Sequence, residues 1–229
     1  MNQGFDPQSF GTKTDSISSY TAKTFGWMFL GLMVTFVASF AIYSTGFIFV
    51  LYNSVLPYVL MIAELGVVIF LSARVHKLSI GMARGLFFIY ALLNAVTFSS
   101  LFALYDVSSL IFVFGMTALY FGVMAIYGMV TKSDLSRIRP VLLFGLVALL
   151  ILAIVSMFVP GMETGMCLVG MVIFVAFTAY DTQKIRANYM MMQGNPEMLQ
   201  KASIMSALEL YLDFINLFLY LLRLFGDRD

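Results

Sequence analysis

The sequence has little charge. Only 11% of its 229 residues are Asp, Glu, Lys or Arg, whereas 61% are hydrophobic. A soluble domain has about 25% charged and 45–50% apolar residues, so this composition excludes a protein whose surface lies mostly in water. The formal net charge is +1, and no basic cluster with interleaved aromatic residues is present. The composition therefore predicts an integral membrane protein and indicates no nucleic-acid partner.

Cysteine and histidine are almost absent. Cys167 is the only cysteine, which excludes an intramolecular disulfide and argues against a cysteine-based zinc or redox site. His76 is the only histidine, and it lies beside basic residues at a predicted membrane boundary. No histidine is thus available inside the membrane to activate a nucleophile, and zinc-protease motifs are missing. We expect no enzymatic activity and no tightly bound cofactor.

Two parts of the chain differ in polarity. Residues 1–20 are polar and lack the charged region and short apolar core of a signal peptide, so we interpret them as an N-terminal tail. Residues 21–229 contain seven apolar segments of the roughly 20 residues that cross a bilayer. These segments cover roughly 24–45, 55–74, 81–105, 107–130, 139–159, 164–186 and 204–225. We expect one all-α domain of seven transmembrane helices, joined by short connections that include a Met-rich loop at about 188–199.

The basic residues predict an orientation, because Lys and Arg concentrate in cytoplasmic loops. With a cytoplasmic N-terminus, 11 of the 13 basic residues are inside, and only Arg223 and Arg228 are outside. The opposite loops, around 43–54, Asp106 and 161–163, contain no Lys or Arg. The pattern therefore favours a cytoplasmic N-terminus and an external C-terminus.

The seventh segment carries a polar stripe. Glu209, Asp213, Asn216 and Tyr220 are separated by four, three and four residues, so they share one helix face. An ionised carboxylate at the bilayer centre costs about 2.5–3.5 kcal/mol on insertion scales. Hydrogen bonding between helices could explain Asn216 taken alone. It explains two carboxylates less well, because an amide or hydroxyl group would make the same hydrogen bonds at a lower cost of burial. The stripe indicates a hydrated or ion-binding seam.

Two further acids lie within apolar segments. Asp181 is near the predicted cytoplasmic end of the sixth helix, where it could simply pair with Lys184 or Arg186 at the interface. It reaches the depth of Asp213 only if that helix continues past Lys184, which the absence of Gly and Pro from residues 183–192 favours. Glu64 lies near the middle of the second segment. We expect Glu64 and Glu209 to line or tune a path through the membrane.

A pair of neighbouring carboxylates suggests a mechanism. Two such groups resist joint ionisation, and a shared proton would make the pair compact and neutral enough to close a path. Loss of that proton would leave two repelling anions, or a site for a hard cation such as Ca²⁺. The residues therefore permit a pH-dependent gate in which Asp181 and Asp213 are both the sensor and the metal ligands.

At these residues the chain resembles the Bax inhibitor-1 family, also called the transmembrane Bax-inhibitor-motif family, and in particular its bacterial inner-membrane branch. The resemblance is carried by the runs AYDTQKI at 179–185, ALELYLDFINLF at 207–218 and LLRLFG at 221–226. It implies six helices around a central seventh, and a pH-sensitive calcium leak regulated by two aspartates that match Asp181 and Asp213. It also implies an acid in the second helix, which Glu64 would match, and an arginine that latches onto the first of those aspartates. Arg74 is the nearest candidate for this latch, although Val75 occupies the matching position.

Three functions remain open at this point. The first is a passive Ca²⁺ leak in a bacterial inner membrane, with protons and Ca²⁺ as its ligands. The second is a non-conducting regulator that binds a membrane protease or another partner, for which we find no motif. The third is a proton-coupled transporter, because transport and leak both need titratable groups at membrane depth.

Overall fold

The computed structural model describes residues 16–52, 55–156, 158–159 and 161–227, and this part of the chain is helical throughout with short connections. The helices are α1 (Ile17–Ser44), α2 (Phe47–Tyr52), α3 (Leu56–Arg74), α4 (Ile80–Ser99), α5 (Leu101–Leu104), α6 (Val107–Val130), α7 (Arg139–Ser156), α8 (Glu163–Met192) and α9 (Pro196–Phe225). Short 3-10 helices at Val75–Lys77 and Leu135–Ile138 follow α3 and precede α7. Residues 1–15 of the predicted tail lie outside the described residues.

The fold is that of an all-α membrane protein. Among the described residues, six helical stretches are long and apolar enough to cross a membrane: α1, α4 with α5, α6, the stretch Leu135–Ser156 that contains α7, α8 and α9. The 19-residue helix α3 occupies the place of the second predicted segment. Large apolar side chains such as Phe144, Ile111 and Leu119 are exposed on the outside of the bundle, as expected for a surface that contacts lipid tails.

The ends of the last two helices differ from the sequence prediction. Helix α8 continues to Met192 rather than ending at 186, and α9 begins at Pro196 rather than at 204. The predicted loop at 188–199 is thus mostly helical, with only residues 193–195 between the two helices. Hydropathy locates the apolar stretch, whereas the polar ends of a helix are set by caps, here by the Asn195 side chain accepting from the Met198 N–H.

The third predicted segment is interrupted. Helix α4 ends at Ser99 and α5 starts at Leu101, so the helical pattern is interrupted at Ser100, about one turn before the C-terminal end of the segment. The hydroxyl of Ser99 donates to the carbonyl of Val96, and the hydroxyl of Ser100 donates to the carbonyl of Thr97. Hydroxyl groups that bond carbonyls of the preceding turn compete with the helical pattern and bend helices.

Helix α9 lies at the centre of the bundle. It packs against α8, α1, α6 and α4. In the most hydrophobic part of α9, 67% of the residues are buried, against 11% in the stretch that contains α7. Helices α3 and α7 are further out, because α3 packs mainly on α4 and α7 mainly on α8. The expected central C-terminal helix is confirmed, with two of its six neighbours displaced to an outer position.

Candidate functional site: the carboxylate cluster between α8 and α9

Helices α8 and α9 run antiparallel and present polar residues to each other at matching intervals. In α8 the polar positions are three and then four residues apart, and in α9 they show the same spacing. Since positions three and four apart lie on one helix face, these three polar residues of α8 each meet a polar residue of α9. The pairs, from the predicted cytoplasmic side inward, are Asn188–Ser206, Lys184–Glu209 and Asp181–Asp213.

Asp181 and Asp213 form the innermost pair. Their carboxyl groups are within hydrogen-bonding reach of each other, and the residues are only 7% and 3% exposed. The Oδ2 atom of Asp213 is buried without a hydrogen-bond partner among the described residues. A buried carboxylate oxygen without a donor is unfavourable by several kcal/mol in a dry site, so this oxygen is available to a proton, a water molecule or a cation.

Lys184 is the cation in contact with this cluster. Its Nζ lies 2.6 Å from Oε1 of Glu209 and 4.0 Å from Oδ1 of Asp181. The sequence allowed an ion pair between Asp181 and Lys184, and the structure shows that the closer partner of Lys184 is Glu209. Three carboxyl groups therefore share one ammonium group, and full ionisation would leave two negative charges without a contacting cation.

The backbone of α8 is fixed close to Asp181. At Gly128, α6 approaches α8 so closely that a methyl group would collide with the carbonyl oxygen of Ala179. Two residues beyond Asp181, the Gln183 side chain accepts from the Leu135 N–H at 2.9 Å and donates to the Ser133 carbonyl at 2.8 Å. These contacts tie the α6–α7 connection to the turn of α8 that carries the aspartate.

Glu64 is in a different part of the molecule. Its Oε1 accepts from the Thr97 hydroxyl at 2.8 Å, at the contact between α3 and α4. The polar contacts nearest to it on α9 involve Tyr211, whose hydroxyl is 2.7 Å from that of Thr35. Tyr211 and Asp213 are two residues apart and thus project about 200° from each other around α9, so Glu64 and the aspartate pair lie on opposite sides of the central helix.

Asn216 and Arg74 also lie apart from the cluster. The half-buried Asn216 donates to the carbonyl of Leu212 in its own helix at 2.8 Å. Arg74 is exposed at the end of α3, and no ion pair joins it to Asp181 in the described part of the chain. It is Val75 that turns inward there, with 4% exposure. The latch of Arg74 on Asp181 therefore stays a prediction, and the cation that contacts Asp181 in the described part of the chain is Lys184 on the same helix.

The donor set is small for a resident metal ion. Among the described residues, no three His, Cys, Asp or Glu side chains are arranged to hold a metal. Two carboxylates supply at most four oxygen atoms, whereas Ca²⁺ takes six to eight. A cation at the Asp181–Asp213 pair would need water or backbone carbonyls for the remaining ligands.

The interface also contains functional candidates that sequence reasoning missed. Ser206, Asn188 and Gln183 complete the polar pairs or anchor α8. The repeated spacing of three and four residues in both helices could have indicated the first two. Nothing in the sequence indicates that Gln183 bonds the backbone of a distant connection.

Comparison with known proteins gives concordant matches along nearly the whole chain. A family model described as "Inhibitor of apoptosis-promoting Bax1" matches residues 17–229. The inner membrane protein YbhL of Escherichia coli strain K12 is 40% identical over 217 residues, which cover 93% of each chain. Uncharacterized proteins of Borreliella burgdorferi and Deinococcus radiodurans are each 37% identical, covering 92% and 94% of this chain and 93% of their own.

Proposed function

Because this chain belongs to the family of the Inhibitor of apoptosis-promoting Bax1, whose relatives include an inner membrane protein, we propose that it is a pH-regulated passive leak for Ca²⁺. In this proposal Asp181 and Asp213 form the gate and the transient cation site. Glu209 and Lys184 set the charge of the cluster. The protein acts without catalysis and without a resident cofactor.

The contact between the two buried aspartates carries the proposal. Two ionised carboxylates in contact, at a separation of about 3–4 Å, repel by roughly 4–5 kcal/mol at an effective dielectric constant of 20. Lys184 offsets only part of this repulsion, because its Nζ lies 4.0 Å from Asp181 and is bonded more closely to Glu209. The aspartates therefore stay in contact when a proton lies between them, and separate or bind a cation when it leaves.

The same chemistry favours Ca²⁺ among the common ions. The pair offers hard oxygen ligands, and hydrated carboxylates match the flexible coordination of Ca²⁺ better than the strict octahedron of Mg²⁺. Because the site offers only a small number of protein ligands, a bound Ca²⁺ ion can leave it again, as conduction requires. Ca²⁺ is thus the permeating ion in this proposal, and protons are the regulators.

Glu64 and Asn216 take no part in the gate in this proposal. Glu64 is bonded to Thr97 on the other side of α9, and Asn216 bonds within its own helix. Glu64 instead stabilises the contact between α3 and α4, where it can affect flux only through the packing of the bundle.

We further propose a location in a bacterial inner membrane, with the N-terminus in the cytoplasm and the C-terminus outside. The name of the Escherichia coli relative supports the membrane. Most Lys and Arg residues lie on the side of the bundle where α1 begins, and this distribution supports the orientation. Protease accessibility of tags at the two termini of the full chain would test it.

The decisive experiment is Ca²⁺ entry into liposomes that contain the purified protein and a Ca²⁺-sensitive dye. We expect wild-type flux to increase as the pH is raised, because the shared proton is lost. Asp213→Asn and Asp181→Asn should flatten this pH profile. Glu163→Gln is the matched control, because Glu163 is exposed at the start of α8, about five helical turns from Asp181, and it should behave as wild type.

The outcomes separate the alternatives. Unchanged flux and pH profile in both aspartate variants would refute the gate. Absence of flux from well-folded wild-type protein would favour the non-conducting regulator, and pull-down of a membrane protease would then be the next measurement. Saturable uptake that requires a proton gradient would favour a transporter.

A further inference from the structure

A second site lies between α1, α4 and α9, on the side of the bundle where these three helices begin. A cavity of about 490 Å³ opens there, within the range of ligand pockets. The polar and charged side chains of its lining come from all three helices. They are Tyr20, Lys23, Trp27, Arg84, Gln200 and Ser203.

The charge of this cavity is positive. Among the described residues that line it, Lys23 and Arg84 are the charged ones, and none is a carboxylate. The N-termini of α1, α4 and α9 all lie on this side, and each carries the partial positive charge of a helix start. Ser16, Ser79 and Asn195 cap the three starts with their own side chains, so the positive end of each helix is well defined.

Arg84 is held in place at the cavity wall. Its guanidinium lies 5.0 Å from the ring centre of Trp27, and its Nη2 donates to Oε1 of Gln200 at 3.2 Å. Its Nε is buried without an acceptor among the described residues. An arginine fixed by stacking and one hydrogen bond, with a further N–H group lacking an acceptor, is preorganised to bind an oxyanion.

We propose that this cavity binds a phosphate-bearing anion through Arg84 and Lys23. The site is distinct from the carboxylate cluster, and its occupation does not depend on whether the protein conducts Ca²⁺. In the proposed orientation the cavity faces the cytoplasmic leaflet, where basic pockets between transmembrane helices bind anionic lipid headgroups. A lipid headgroup and a free phosphate offer the same chemistry, so the experiment distinguishes them.

Trp27 makes the site directly measurable. It is the only tryptophan of the chain and lines the cavity, so intrinsic fluorescence reports on this location. The full-length protein in non-ionic detergent would be titrated with short-chain phosphatidylglycerol, with short-chain phosphatidylcholine as the matched zwitterionic lipid, and with inorganic phosphate. We expect a saturable change with phosphatidylglycerol that weakens as the salt concentration rises.

Variants test the two cations separately. Arg84→Gln and Lys23→Gln should each raise the Kd for phosphatidylglycerol at least tenfold, which corresponds to about 1.4 kcal/mol. Lys132→Gln, an exposed lysine in the α6–α7 connection, should leave the Kd unchanged. The midpoint of each titration is compared rather than its amplitude, because loss of the Arg84 contact alters the fluorescence of Trp27 directly.

The titrations distinguish a lipid headgroup from free phosphate and can refute the site. Displacement of phosphatidylglycerol by millimolar inorganic phosphate supports a site for free phosphate, and absence of displacement supports a headgroup site. The proposal is overturned if phosphatidylcholine binds as tightly as phosphatidylglycerol, if neither phosphatidylglycerol nor phosphate gives a saturable change, or if Lys23→Gln and Arg84→Gln both bind as wild type. Lys23→Gln keeps the test valid if Arg84→Gln fails to fold, because the Lys23 side chain is exposed.

Discussion

Replacing Lys184 with methionine removes the cation that contacts the carboxylates of α8 and α9 while keeping a side chain of similar length. At an effective dielectric constant of 20, attraction to Glu209 at 2.6 Å is about 6 kcal/mol and attraction to Asp181 at 4.0 Å is about 4 kcal/mol. Desolvation of the ammonium group offsets several kcal/mol of this gain. What remains is the penalty for leaving carboxylates buried without their partner.

That penalty is about 3–5 kcal/mol for a fully buried pair. The side chains of Lys184 and Glu209 are 30% and 25% exposed, so water reaches both. We therefore expect Lys184→Met to lower the free energy of unfolding by about 3 kcal/mol at neutral pH. Adding Glu209→Gln removes one of the unpaired charges. The double variant should therefore lose only about 1 kcal/mol, which is about 2 kcal/mol less than Lys184→Met alone. Measuring Glu209→Gln alone completes the cycle that gives the coupling between the two residues.

The assay is reversible unfolding in mixed micelles, with helical circular dichroism measured as the fraction of denaturing detergent increases. Lys132→Met is the control, since it removes an exposed lysine without touching the cluster. The reasoning fails if Lys184→Met unfolds within about 0.5 kcal/mol of wild type. It also fails if the double variant is less stable than Lys184→Met alone, because the two side chains would then not form a compensating pair.

Three further predictions concern the surroundings of the cluster. Gly128→Ala should destabilise the protein by about 1–3 kcal/mol, because the added methyl group collides with the α8 backbone; unchanged stability by the same unfolding assay would mean that the helices separate freely. Tyr211→Phe should lower stability by about 1–2 kcal/mol through loss of the 2.7 Å bond to Thr35, and wild-type stability would contradict this. Thr35→Val should cost more than Tyr211→Phe, because it also removes the 3.0 Å bond to the carbonyl of Ala91. Glu64→Gln should leave the pH profile of Ca²⁺ flux in liposomes unchanged, and a shifted profile would show that Glu64 belongs to the gate.

The sequence predicted the membrane fold because its signal is local. Each apolar run of about 20 residues is visible in one dimension, and the polar stripe of α9 follows from helical spacing alone. Hydropathy alone ends α8 too early and starts α9 too late, since it does not register polar helical turns beyond the apolar core. For α8, the absence of Gly and Pro from residues 183–192 corrects this. The continuation of α8 past Lys184, which brings Asp181 to the level of Asp213, is confirmed.

The contacts between helices were harder to predict. Whether Lys184 bonds Asp181 or Glu209 depends on the rotation of α8 relative to α9. This rotation cannot be read from the sequence of either helix alone. The separation of Glu64 from the aspartates depends on which face of α9 meets α4. Arg74 was assigned by its position in the chain, but the 3-10 turn after α3 directs Val75 inward instead. These are properties of packing angle and register rather than of composition.

The matched spacing of polar residues along α8 and α9 limits how the two helices can move. A slide of about 5.4 Å, one helical turn, would bring Lys184 opposite Asp213, Asp181 opposite Asn216 and Asn188 opposite Glu209. Every carboxylate would again face a polar partner, whereas a slide of half a turn would turn the acids toward leucine and phenylalanine. The spacing therefore allows two registers of this interface in which the carboxylates face polar side chains, one helical turn apart, and the ammonium group would face a different carboxylate in each.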